Sequence, residues 1–163
     1  MTDEIAGPDQ ARLFTRIAVN TWKATVGRFD DVVAGSSDED LEREVTPGKS
    51  RLAYLIGHLT ALHDRLLPVL GLGERRHAEL DAEFAEERDD HRAIPLSPRH
   101  LRQLWNDVNA ALVTGMERLT PEQWLEAPAS GAAPSVAAPN RLSVLLAWTA
   151  HVSLHATQLR ITR

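Results

Sequence analysis

The chain has 163 residues, 43% of them hydrophobic, with no cysteine and a formal net charge of -5. That length suits one domain with a buried core, and residues 1–163 are read as one such unit. The missing cysteine excludes disulfides, thiolate metal ligands, iron–sulfur clusters and a cysteine nucleophile within this chain. The interleaved charges lack the basic footprint that nucleic-acid binding leaves.

Met1 to Gln10 is acidic and polar, and no apolar run is long enough to cross a bilayer, so no membrane association and a cytoplasmic location are expected. Sustained period-2 alternation is absent, and four long helical patterns dominate. The first is predicted from Pro8 to Val33. It opens at Gly7-Pro8-Asp9, carries Val19, Trp22, Val26, Phe29 and Val33 at spacings of three and four, and stops at Gly35 and Ser36-Ser37. The acidic Ser37-Asp38-Glu39-Asp40 patch beyond it is expected to form a helical turn.

The second helix is predicted from Lys49 to Leu70, with Leu52, Leu55, Leu59, Leu62, Leu66 and Val69 on one stripe and Gly71 and Gly73 as stops. Pro68 removes the bond to the Asp64 carbonyl and is expected to kink or fray the end. Residues 74–92 are charge-dense and read as a short exposed helix presenting a solvated face. The third helix starts at the Ser97 cap and Pro98, carries Leu101, Trp105, Val108 and Leu112, and is expected to end near Leu119. Thr120-Pro121-Glu122-Gln123 is a capping-box pattern for one short helix, followed by a loop rich in Ala, Pro, Ser and Gly up to residue 140. The fourth helix is predicted from an Asn140 cap to Ile161, with Leu145, Trp148, Val152, His155 and Leu159 on one stripe. Four such helices predict an all-α four-helix bundle with long connecting loops and short accessory helices.

His151 and His155 are four residues apart on one helix face, so both imidazoles can reach one cation. His155 interrupts a stripe of Leu, Trp and Val, and a buried imidazole needs both nitrogens satisfied. His58 holds a similar place in the second helix, beside Leu55 and Leu62. Helices of a bundle pack roughly 8 to 10 Å apart, a gap that two imidazoles and a metal can span. These three histidines are the candidate metal ligands, with Gln158 on the same face as a candidate partner for a ligand histidine or a metal-bound water. His63 lies about 140° around the helix from His58 and is not expected to share the site. His77, His91 and His100 are expected at the surface. Val152 follows His151 where a zincin has its catalytic glutamate, which argues against a metalloprotease. No repeat, Gly-rich phosphate loop or Gly-x-Ser-x-Gly elbow is present.

A helix with Ile56-Gly57-His58-Leu59 and a terminal His151-x-x-x-His155-x-x-Gln158-Leu159 resembles the DinB/YfiT-like superfamily over nearly the whole chain. The resemblance implies a four-helix bundle whose histidines, here His58, His151 and His155, bind a divalent metal ion, zinc or nickel. It implies a small-molecule substrate and a homodimer. The superfamily includes mycothiol and bacillithiol S-transferases, and three imidazoles leave a metal the open positions typical of catalytic sites. A metal-dependent thiol S-transferase with an exogenous low-molecular-weight thiol as cosubstrate is the leading expectation. A metal-dependent hydrolase of a small molecule and a non-catalytic, stress-related metal- or ligand-binding protein are the alternatives. Asp64, Asn109 and Gln158 are the candidates for a general acid or base.

Overall fold

Pro8 supplies a preset φ where a helix has no use for an N–H, and the Gln10 side chain accepts from the Gly7 backbone N–H at 3.2 Å. From that start α1 runs Pro8–Gly35, burying Ala18, Trp22, Val26, Phe29 and Val33 on one face. In this computed structural model, which describes residues 7–86, 89–129 and 138–158, six further helices follow. They are α2 (Asp38–Leu41), α3 (Leu52–Val69), α4 (Asp81–Phe84), α5 (Pro98–Met116), α6 (Pro121–Leu125) and α7 (Arg141–Gln158). The described residues contain no strand, only an isolated bridge between Glu44 and Arg51. None of their helices is long and apolar enough to cross a membrane.

The four long patterns are thus α1, α3, α5 and α7, and the chain is an all-α bundle. The Ser37-Asp38 patch forms α2, where the Ser37 hydroxyl accepts from the Asp40 N–H at 3.1 Å. α3 starts at Leu52 rather than Lys49, because Thr46–Lys49 closes a turn through Gly48, whose φ is +75°. α5 ends at Met116 rather than near Leu119. Beyond it, i→i+3 bonds from the Arg118 and Leu119 N–H groups tighten the chain. The Asn140 side chain caps α7 by accepting from the Ser143 N–H at 2.8 Å. The predicted last turn at 159–161 lies outside the described residues.

Pro68 does not break α3. The end is closed by a Schellman pair, Leu72 N–H to the Leu67 carbonyl at 2.8 Å and Gly71 N–H to the Pro68 carbonyl at 3.0 Å, with Gly71 at φ +70°. A proline in the last turn sits ahead of that closure and forfeits one bond only.

α3 is the central helix, buried on all sides, with only Arg65 and Pro68 outside its buried set. Its principal partner is α5, while α1 pairs principally with α7. The connections 36–51 and 117–140 carry the chain from one pair to the other, while 70–97 joins α3 to its own partner α5. At the centre, Phe29 and Trp105 meet at 5.0 Å between ring centroids.

The charged stretch 74–92 meets its solvated reading in part, with Glu74, Arg76, Glu79, Glu83 and Asp90 exposed, and departs from it in what it packs against α3. It forms a 3-10 turn at Ala78–Leu80 and the single-turn α4, burying Leu80 and Phe84 against α3. Three of its charges, Arg75, Asp81 and Asp89, are anchors. Arg75 bonds the buried Asp64 at 3.0 Å and Asp81 at 2.6 Å, and Asp81 also pairs with Arg65 at 3.0 Å. Further on, the buried Asp89 takes a two-pronged bond from Arg51, at 2.7 and 3.0 Å. The sequence pattern misses this because alternating charges read alike whether they face water or one another.

Candidate metal centre

His58 faces α7 from the middle of α3, and His151 and His155 face it from successive turns of α7. One nitrogen from each of the three lies within 4.8 Å of one from each of the others. The His151 and His155 Nε2 atoms are 3.1 Å apart, and the His58 ring centroid is 6.1 Å from that of His151 and 5.6 Å from that of His155. His58 and His155 are buried and His151 is half-buried. Donor nitrogens on one tetrahedral cation sit roughly 3.3 Å apart for Zn–N bonds of about 2.0 to 2.1 Å. The α7 pair has nearly that spacing, and a His58 nitrogen lies within 4.8 Å of both. The donor set fits a divalent cation that favours imidazole.

The surroundings fix the rings. The His58 Nδ1 is 2.8 Å from the Phe84 carbonyl oxygen, which can only accept, so the proton is on Nδ1 and the lone pair on Nε2. Tyr54 stacks on His58 with centroids 6.4 Å apart and donates its hydroxyl to the Glu86 carbonyl at 3.1 Å. The edge of Trp148 stands against His151 at 6.1 Å.

His63, expected outside the site, is outside this group, yet it is no surface residue. It is fully buried between Trp22 at 4.7 Å and Trp105 at 4.9 Å, and its Nδ1 donates to Asn109 Oδ1 at 2.8 Å. The Asn109 Nδ2 is committed to the Trp105 carbonyl at 2.8 Å, which settles which end of the amide accepts. Burial drives the His63 pKa down to about 3; the Asn109 bond opposes this, while His151 and His58 nearby push the same way as burial. His63 Nε2 and Trp22 Nε1 are buried with no hydrogen-bond partner among the described residues.

Of the candidate acids and bases, Asp64 is consumed by structure. It accepts from Arg75 and from the Arg76 and His77 N–H groups at 2.7 and 3.1 Å. Asn109 holds His63. Both therefore serve the core and not the histidine group. The Gln158 side chain lies outside the described residues. His91 and His100 are exposed and His77 is half-buried beside Glu79. Sequence reasoning had no access to the Phe84 carbonyl, because a backbone acceptor leaves no residue signature. Gly57, an isolated glycine within an apolar helix, was the visible trace of it.

Fold and side chains together define an all-α bundle with a candidate three-histidine metal centre. A family model described as the DinB superfamily matches residues 20–159, and the chain belongs to that superfamily. Among solved structures, the chain is similar to one described as a conserved protein from Enterococcus faecalis, at 17% identity and a TM-score of 0.57, over 91% of this chain and 94% of that one. That likeness concerns the fold. No curated protein matches the chain.

Proposed function

We propose that His58, His151 and His155 hold a divalent cation, zinc or nickel, and that the protein is a metal-dependent S-transferase using a low-molecular-weight thiol of the mycothiol or bacillithiol kind. The observation that carries this reading is the gathering of three imidazole nitrogens within 4.8 Å on two facing helices. When bound by three imidazoles, such a cation keeps open positions and lowers the pKa of a thiol or water placed there. Three neutral ligands add no negative charge, so the cation's full charge remains available to an anionic sulfur. The chain has no cysteine, so that sulfur comes from a cosubstrate.

The chain's own part is to orient the ligand rings. The Phe84 carbonyl keeps the His58 proton on Nδ1, and Tyr54 and Trp148 flank the rings. Metal analysis of the purified protein tests the ligand set: about one equivalent is expected for the wild type and loss of most of it in His151→Ala and His155→Ala. Undiminished metal in both variants refutes the site. Turnover of a test electrophile, measured with and without added thiol, tests the reaction. Thiol-dependent turnover is the expected result. Equal turnover without thiol identifies a hydrolase, and no turnover with full metal loading identifies a metal-binding protein without catalysis.

A further inference from the structure

Gly57 precedes His58 on α3, on ground covered by Phe84. A Cβ at Gly57 would lie 2.4 Å from Phe84 Cε1, 2.5 Å from Cδ1 and 2.6 Å from Cζ, far inside any real carbon contact. The ring cannot simply step aside, because it is 1% exposed and confined by Tyr54 at 5.6 Å between centroids. Phe84 is also the residue whose carbonyl oxygen meets His58 Nδ1 at 2.8 Å. Ring and carbonyl share one backbone unit, so what seats the first places the second.

We propose that Gly57 and Phe84 are positioning residues for the candidate metal ligand His58. The notch left by the missing Cβ receives the Phe84 ring, which sets the carbonyl against Nδ1, fixes the tautomer and leaves the Nε2 lone pair for the cation. The surrounding stretch is built to hold that position. Before Phe84, Asp81 is clamped by Arg65 and Arg75; after it, the Glu86 carbonyl takes the Tyr54 hydroxyl and Asp89 is gripped by Arg51. Outer partners of this kind orient ligating imidazoles, and removing them typically costs 10- to 100-fold in metal affinity.

The proposal rests on the metal reading for its affinity arm but not for its tautomer arm. Gly57→Ala forces the ring out of the notch, and Phe84→Ala empties the notch without a clash, so the second variant serves if the first fails to fold. Two quantities are read on each full-length variant: the His58 tautomer in the metal-free protein, by long-range proton–nitrogen NMR of the imidazoles, and zinc affinity, by competition with a chromophoric chelator. Helicity by circular dichroism confirms folding. The expected result is the Nδ1–H tautomer in the wild type, a mixture in the folded variant, and zinc binding weaker by roughly 10- to 100-fold. Wild-type tautomer and wild-type affinity in a folded variant overturn the proposal. If the wild type binds no zinc while the tautomer still changes, the metal reading fails and the positioning of His58 stands.

Discussion

At the scale of single residues, His63 carries the clearest consequence. Its ring is enclosed by Trp22 and Trp105 and its pKa is pushed down to about 3 by burial, against about 6.5 in an unfolded chain. The unfolded state therefore binds the extra proton between these two values. The stability contributed by keeping His63 neutral is intact above pH 6.5 and erodes as pH falls toward 3, at roughly 1.4 kcal/mol per pH unit. Urea unfolding from pH 7 to pH 4, in the presence of a chelator, checks this. The wild type should lose stability steeply, whereas His63→Gln, uncharged at every pH, should start less stable and show a shallower slope. Parallel slopes would mean that another group governs the acid response.

At the scale of elements, the stretch around α4 is the part whose role is least obvious from its residues. Asp89 illustrates why. Burial raises its pKa, but the Arg51 side chain, the Arg51 backbone and the His91 N–H outweigh that and hold it at about 2. A depressed carboxylate stabilises the fold above its unfolded pKa near 3.9, and that contribution disappears as pH falls through 2. Arg51→Ala leaves Asp89 buried without its guanidinium and should cost about 3 kcal/mol, with residues 77–92 becoming the first site of limited proteolysis. A variant equally resistant to protease would show that the ion pair does not hold this stretch. The long helices were legible because each shows its buried stripe at spacings of three and four, and the caps at Ser97, Thr120 and Asn140 were legible because each has a local partner three residues on. His58 and His155 were legible as polar residues beside or within apolar stripes, and His151 by its place four residues before His155. The Asp64, Arg75 and Asp81 network and the Phe84 carbonyl were not, since both depend on contacts between segments that no local spacing encodes.

At the scale of the whole molecule, a cation bound to the folded state alone raises stability by mass action. Zinc at a hundredfold excess over its Kd should add about 2.7 kcal/mol. For a chain of this size that is roughly 5 to 10 °C in Tm, from about 2 to 4 °C per kcal/mol. A chelator should reverse the gain, and His155→Ala should show none of it in thermal melts run with and without zinc. An equal rise in His155→Ala would place the stabilising cation elsewhere. The pairing of the long helices gives this a further meaning. His58 comes from the pair formed by α3 and α5, and His151 and His155 come from the pair formed by α1 and α7. A bound ion would thus rivet one pair to the other, tying His58 to His155 across a long stretch of chain. The three ligands come together only where the two pairs meet, so uptake of metal during refolding would report the docking of one pair on the other.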